Sequence, residues 1–367
     1  MLRTAVPSPT PESGQGGSKP ANASGKGWPR FWLRRDPASW ALWPLSMVYG
    51  GLVRVRSMLY DIGLLHSGHP GRPVIVIGNV VAGGSGKTPI VMALVRHLQA
   101  LGWHPGVISR GYGRTSQGCV LVDATSRPVD VGDEPLLIAR QCGVPVCVSR
   151  NRLEAAQQLL KHDPVTDVLI ADDGLQHRAL QRDLEVCVFN AHGAGNGFLL
   201  PAGPLREPWP RSVDWVLHTG TPPAVGTSMP SYPVQRQLAS HALTSTGEKV
   251  ALDALRGHPL HAVAAIGQPG AFFSMLEQAG LSLGHKEALP DHYDFDSWLR
   301  STDERLRLIC TEKDAVKIWK THPDALAVPL EITLAPDFVG DVDARLRAIA
   351  APLSSPDLPG YAPSRTE

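Results

Sequence analysis

Pro73-Val-Ile-Val-Ile-Gly-Asn-Val-Val-Ala-Gly-Gly-Ser-Gly-Lys-Thr-Pro89 is the stretch on which the reading of the chain turns. Val74–Ile77 is a β-branched run suited to a buried parallel strand. Beyond the glycines, Val91, Leu94, Val95, Leu98 and Leu101 fall at helical spacing, with Gly102 as a stop. Pro89 sits in the first helical turn, where a missing N–H costs little. Strand, glycine-rich loop, Gly-Lys-Thr and helix together read as a phosphate-binding loop. Backbone N–H groups around Gly83, Gly84, Ser85 and Gly86 would close on phosphate oxygens, and the helix N-terminus adds positive potential. Lys87 would neutralise the β/γ charge and Thr88 would ligate Mg²⁺. One position departs from the usual pattern, which has Gly five residues before Gly86 where this chain has Val81. The competing reading is a glycine-rich turn with an incidental Gly-Lys-Thr.

Working outward, 367 residues suggest two domains with tails, and a 43% hydrophobic content is ordinary for a globular protein. A net charge of +1 gives no global attraction to nucleic acid, so any basic feature must be local. Cys119, Cys142, Cys147, Cys187 and Cys310 lack a C-x-x-C pair and sit mostly in apolar runs. They read as buried free thiols of a reducing compartment. The first residues have no apolar signal-peptide core, and the expected location is cytosolic.

Residues 1–27 are Pro, Gly, Ser and Ala with little to bury, and disorder is expected. Trp28, Phe31, Trp32, Trp40 and Trp43 then crowd among Arg30, Arg34 and Arg35. Leu45, Val48, Leu52, Val55 and Leu59 follow at near-helical spacing, with Arg54 and Arg56 on other faces. The apolar run from Ala41 to Val53 is shorter than the about 20 residues that span a bilayer. A helix lying at a membrane interface and a helix packed on its own domain both fit this pattern.

From Val74 to about Thr219, strand-like and helix-like segments alternate: Val107–Ser109, Cys119–Val122, helix Glu134–Cys142, Val144–Val148, helix Asn151–Lys161, Val168–Ala171, Leu184–Phe189 and Val213–His218. This is the βαβ pattern of a mostly parallel, doubly wound sheet, and ligands bind beyond the carboxyl ends of such strands. The expected class is α/β, with a P-loop NTPase-like parallel sheet covered by helices on both faces. A second, smaller α/β domain and an N-terminal amphipathic helix complete it. The expected boundaries are a tail at 1–27, the P-loop domain at 28–220, the second domain at 221–336, and a short helix with a tail at 337–367. Strands of the second domain are expected near His261–Ile266, Leu306–Cys310 and Val328–Leu334, and the last helix near Val342–Ala350.

Val168-Leu-Ile-Ala-Asp172 is an apolar strand ending in an acid, as an NTPase needs opposite its loop to hold Mg²⁺. Asp173 doubles the charge, and Gln176 and His177 follow; the alternative for Asp172 is a helix N-cap. Gly132-Asp-Glu-Pro135 puts Asp133 and Glu134 before a helix, where from spacing alone capping is the stronger reading, since Asp is a favoured N-cap and Glu suits a first turn. His292, in Asp291-His-Tyr293, and Thr311-Glu-Lys-Asp314 lie in the second segment. Leu199–Pro208 is a proline-punctuated loop presenting Arg206 and Glu207. From the residues alone the chain is an Mg-NTP-dependent enzyme whose substrate stays open.

Several stretches in order resemble one family. They are Gly78-Asn79 with Gly83–Pro89, Ser109-Arg-Gly-Tyr-Gly113, Gly132-Asp-Glu-Pro135, Asp172-Asp-Gly-Leu-Gln-His177, Leu200–Pro208, Asp291-His-Tyr293 and Thr311-Glu-Lys-Asp314. Their order and spacing are similar to tetraacyldisaccharide 4′-kinases of lipid A biosynthesis, from about Trp43 to Leu334. That family's loop has the Gly-Gly-x-Gly-Lys-Thr-Pro form, which accommodates Val81; Leu175 stands where the family often has Phe. The resemblance implies transfer of the ATP γ-phosphoryl group to the 4′-hydroxyl of an acylated glucosamine disaccharide 1-phosphate. It implies a peripheral enzyme on the cytoplasmic face of a Gram-negative inner membrane, bound to an anionic membrane surface. No nucleic acid and no obligate protein partner are expected. By the same resemblance Asp133 is the base, oriented by His292, while Lys87 stabilises the transferred group. Thr88, Asp172, Asp173 and Glu134 serve Mg²⁺, and Gln176, His177, Arg206 and Glu207 line the nucleotide or substrate rim. The competing functions are a membrane-associated P-loop switch acting on a protein partner and a cytosolic P-loop ligase or small-molecule kinase.

Overall fold

The computed structural model describes residues 29–83, 86–123, 125–220, 222–223, 229–291, 293–300 and 305–351. The stretch that opens the sequence reading forms the middle of the larger sheet. Val74–Gly78 (β1) is buried at every position. Beside it run Pro105–Ser109 (β2), Val120–Val122 (β3), Val146–Val148 (β4), Val168–Asp172 (β5), Leu184–Phe189 (β6), Trp215–His218 (β7) and Ser231–Pro233 (β8). The order is β3-β4-β2-β5-β1-β6-β7-β8. Only β3 runs antiparallel to its neighbour, so the carboxyl ends of the other strands share one rim.

The helices of this layer follow the apolar periodicity. Arg30–Leu33 (α1) and Pro37–Asp61 (α2) precede the sheet, and Lys87–Ala100 (α3) follows β1. Pro128–Val131 (α4), Asp133–Cys142 (α5) and Arg152–His162 (α6) connect the later strands. Alternate residues of β1 enter two cores. Ile75 and Ile77 pack with Leu94 and Leu98 of α3 and Leu136 of α5, while Val74 and Val76 pack with Ala155, Ala156 and Leu159 of α6. Strand residues buried on both faces read as continuous apolar runs, which is why β1 lacks alternation.

The smaller sheet is built from His241–Leu243 (β10), Lys249–Ala251 (β11), Pro259–Ala264 (β12), Ser282–Ala288 (β13), Arg307–Thr311 (β14) and Leu326–Val328 (β15). Its order is β11-β10-β15-β14-β12-β13. Pro269–Gln278 (α7) and Glu312–Ile318 (α8) cover its two faces. Gln235–Leu238 (β9) and Leu330–Thr333 (β16) form an antiparallel ribbon between the two sheets. The sequence-level strand Val328–Leu334 therefore divides in two. Pro329 has no N–H to give a ladder and marks the point where the chain leaves one sheet for the other.

Two segments assigned by sequence beyond the first layer return to it. β8 pairs with β7 at the edge of the larger sheet. The last helix, Pro336–Ala350 (α9), begins earlier than the expected Val342, because Pro336 is a favoured first helical residue. Its Phe338, Val342 and Leu346 stripe enters the core containing Ile75 and Ile77.

α2 is packed in an unusual sense. Asp36 caps it, accepting from Ser39 N–H while Ser39 Oγ accepts from Asp36 N–H. Its fully buried residues are small: Ser39, Ser46 and Gly50. Ser46 Oγ donates to Leu199 O at 2.8 Å and Tyr49 Oη to Arg206 O at 2.8 Å. A Cβ on Gly50 would lie 2.7 Å from Leu199 Cδ1. The large apolar residues point the other way, with Leu45, Val48, Leu52, Val55 and Met58 each more than half exposed. Among the described residues, no helix is long and apolar enough to cross a membrane.

Candidate active site

After β1 the chain is zipped to the Leu199–Pro208 loop. Val81 bridges Leu205, Ala82 N–H donates to Pro204 O at 2.7 Å, and Arg206 N–H donates to Val80 O at 2.7 Å. Val81 is fully buried, which explains an apolar residue where other phosphate loops have glycine. The same zipper brings Arg206 and Glu207 to the loop. Gly84 and Ser85 lie outside the described residues. Gly86 caps α3 with φ of 69°, a left-handed conformation that glycine adopts without strain. A Cβ there would fall 2.2 Å from the guanidinium of Arg236, which β9 lays against the loop. Lys87 and Thr88 open α3, and Thr88 is buried.

β5 pairs with β1 so that Asp172 lies beside Ile77, and both strands deliver their ends to the rim. Asp172 is buried, and its Oδ1 has no hydrogen-bond partner among the described residues. Burial, with Glu134 adding repulsion, pushes its carboxyl up to about 7. Asp173 has φ of 51°, a left-handed turn that aspartate tolerates better than most residues. This turn sets its carboxylate 3.4 Å from Lys87 Nζ and 3.5 Å from an Arg206 nitrogen. Burial opposes the charge on Asp173, but Lys87 and Arg206 outweigh it and hold the carboxyl below its usual range.

Gly132, with φ of 96°, precedes α5; a Cβ there would sit 3.1 Å from Tyr112 O. It lets Asp133 and Glu134 begin the helix against the Ser109–Gly113 turn. Neither acid is met by its own layer alone. Lys317 Nζ of α8 pairs with Asp133 Oδ2 at 2.8 Å, and Lys313 Nζ reaches Glu134 at 3.5 Å and Asp291 at 3.1 Å. Burial works against the Lys313 ammonium, yet Glu134 and Asp291 outweigh it and raise its pKa. His292 lies outside the described residues. Sequence reasoning missed Lys317 and Arg236 as site residues. Lys313 and Lys317 are four apart on α8, so they share a face, and that spacing was the available signal for Lys317. Arg236 left none, because its strand lies far from the loop in sequence.

Gln176 Nε2 donates to Asn79 O at 2.9 Å and to Glu207 Oε1 at 2.6 Å, closing the rim between β1 and the Leu199–Pro208 loop. His177 faces elsewhere. Its Nε2 accepts from Arg152 N–H at 3.2 Å at the start of α6, and burial beside Arg152 drives its pKa down to about 4. It lines neither cavity described next.

Two cavities meet over the loop. One, of about 380 Å³, is mostly apolar and lies between the sheets. Gly86, Thr88, Met92, Arg236, Ile266, Phe272 and Met275 are among its walls. The other, of about 670 Å³, is polar and is lined by Gly83, Ser109, Arg110, Asp172, Asp173, Gln176, Arg206 and Glu207. It continues to Tyr49, Val53 and Arg56 of α2. Lys87, Glu134 and Asp291 line both.

A Gly-Lys-Thr loop between a central parallel strand and its helix places the molecule in the P-loop NTPase-like α/β class. The tetraacyldisaccharide-1-P 4′-kinase (LpxK) family profile matches residues 38–347. A tetraacyldisaccharide 4′-kinase of Acidovorax sp. (strain JS42) is 58% identical over 320 residues, covering 87% of this chain and 94% of that protein. One from Delftia acidovorans is 52% identical over 337 residues, covering 92% and 99%. A crystal structure of LpxK from Aquifex aeolicus, described as an apo form in complex with ATP, superposes with a TM-score of 0.74 at 30% identity. It covers 84% of this chain and 99% of that one. The chain belongs to the tetraacyldisaccharide-1-P 4′-kinase family.

Proposed function

We propose that the chain transfers the γ-phosphoryl group of ATP to the 4′-hydroxyl of a tetraacyl glucosamine disaccharide 1-phosphate, a step of lipid A biosynthesis. The observation that carries this reading is the junction of the two cavities at Lys87 and Glu134. The apolar cavity beside the loop suits a nucleoside, and the polar one suits a phosphorylated sugar. The polar cavity continues to α2, whose outer face exposes large apolar residues. An acceptor held by its acyl chains in a bilayer can reach such a cavity while the helix lies in the interface. On this reading the protein is peripheral, on the cytoplasmic face of the inner membrane. It works there on an anionic surface without nucleic acid or an obligate protein partner.

In the transfer step the sugar oxygen bonds to Pγ, the bond from Pγ to the β,γ-bridging oxygen breaks, and ADP departs. Asp133 accepts the hydroxyl proton, late in a loose transition state, so an ordinary carboxylate suffices. Lys317 Nζ, 2.8 Å from Asp133 Oδ2, helps orient Asp133. His292, expected from the family resemblance to orient the same carboxylate, lies outside the described residues. Lys87 and the loop N–H groups stabilise the transferring charge. Arg206 and Lys87 hold Asp173, and Gln176 holds Glu207, keeping the rim in place before substrate arrives.

The donor set fits Mg²⁺, since Asp172 Oδ1 is a buried carboxylate oxygen without a partner among the described residues. Thr88 and Asp172, with Glu134 and Asp173 near them, would hold the ion. When bound it would neutralise phosphate charge.

The test is ATP turnover by the purified protein with and without detergent-dispersed lipid A disaccharide precursor, alongside Asp133→Ala. We expect turnover to depend on the lipid, and Asp133→Ala to lose most of kcat while still binding nucleotide. Turnover indifferent to the lipid, with no phosphorylated lipid formed, would overturn the reading. Near-normal kcat in Asp133→Ala would remove that residue from the role of base.

A further inference from the structure

We infer that the smaller sheet carries a zinc-type divalent-cation site formed by His261, His285 and Glu287, separate from the phosphoryl-transfer site. β12 and β13 are parallel neighbours, and their register shifts between Leu260 and His261. Leu260 pairs with Leu283, but His261 pairs with His285, so one extra residue is taken up on β13. Such an irregularity re-aims a side chain, and here it sets the two imidazoles opposite each other. His285 and Glu287 are two apart on one strand and therefore share the face that His261 presents.

The donor atoms converge. One ligand atom from each of the three residues lies within 4.8 Å of the others. His261 Nε2 and Glu287 Oε2 are 3.1 Å apart. Two ligands on a tetrahedral zinc ion sit roughly 3.3 Å apart, given metal–ligand bonds near 2.0–2.1 Å. The imidazole rings meet edge to face, with centroids 4.7 Å apart at 75°. Trp298 Nε1 donates to Glu287 Oε1 at 3.0 Å, the outer-shell bond that orients a ligating carboxylate. His261 is fully buried, while His285 and Glu287 are half-buried, giving an ion an approach from one side.

Two imidazoles and one carboxylate are a donor set for zinc with an open fourth position. None of the three residues lines either cavity of the transfer site. β13 is the edge strand of its sheet, so a bound ion would pin that edge to β12.

The test is equilibrium dialysis of the metal-stripped full chain against Zn²⁺, with elemental analysis and thermal melting. The wild type should hold one equivalent more than His285→Ala, and Zn²⁺ should raise the melting temperature of the wild type alone. Losing a direct ligand should weaken that equivalent by at least the roughly 10–100-fold that losing an outer-shell partner costs. Glu287→Gln keeps an acceptor for Trp298 and should lose the same equivalent without unfolding. Co²⁺ in the wild type should give the visible absorption of a tetrahedral site. Equal zinc content and equal melting shifts in the wild type and both variants would overturn the inference.

Discussion

Asp172 is the residue at which burial and charge conflict most directly. A buried carboxyl raised to about 7 keeps its proton in the folded state at pH values where the unfolded chain has released it. Stability of the metal-free protein should therefore fall as pH rises from roughly 4 to 7, the interval between an ordinary aspartate and this one. A bound cation would relieve that cost. Asp172→Asn should raise the melting temperature of the metal-free protein above pH 7, by a stabilisation on the order of a few kcal/mol, and abolish phosphoryl transfer. Calorimetry at two pH values checks the sign; a lower melting temperature for the variant at both would refute it. Lys317 is the second decisive residue, because it holds Asp133 yet lines neither cavity. Lys317→Ala should lower kcat roughly tenfold or more and leave ATP affinity nearly unchanged. Nucleotide titration beside steady-state kinetics separates the two, and an equal loss in both would argue for general disruption.

At the scale of elements, α2 inverts the usual arrangement of a surface helix, with its buried positions small and its large aliphatic residues outward. Replacing Val48 and Leu52 with Glu changes only exposed positions, so melting should be unaffected. Association with anionic vesicles should drop, as should activity on vesicle-embedded acceptor. Unchanged co-sedimentation would count against interfacial docking. The helical spacing of Leu45, Val48, Leu52 and Val55 was legible in the sequence. Its inward side was not, because Ser46 and Gly50 acquire meaning only from Leu199, some 150 positions away. The strand and helix of the phosphate loop were fully legible, since local spacing determines both. The break at Pro329 was also written in the chain, as a residue that cannot continue a ladder.

Across the whole molecule, two sheets present their rims to one cleft, and ion pairs from α8 to α5 cross it. The parallel order that gathers Ser109, Asp172 and Asn190 onto one rim follows from βαβ alternation and could be argued beforehand. The return of β8 and α9 to the larger sheet could not. Phe338, Val342 and Leu346 announce an apolar stripe, but a stripe does not say which core receives it. Likewise Arg236 reaches Gly86 only because the β9–β16 ribbon passes between the sheets. The cleft so formed places a mostly apolar cavity and a polar one on either side of Lys87. The most direct measurement follows γ-labelled ATP with the purified chain and the tetraacyl disaccharide 1-phosphate in mixed micelles, with the product's phosphate position read by ³¹P NMR. We predict that the label arrives as a phosphomonoester at the 4′-oxygen and that Lys87→Ala eliminates it. Label recovered only as inorganic phosphate, or at another position on the sugar, would contradict the account.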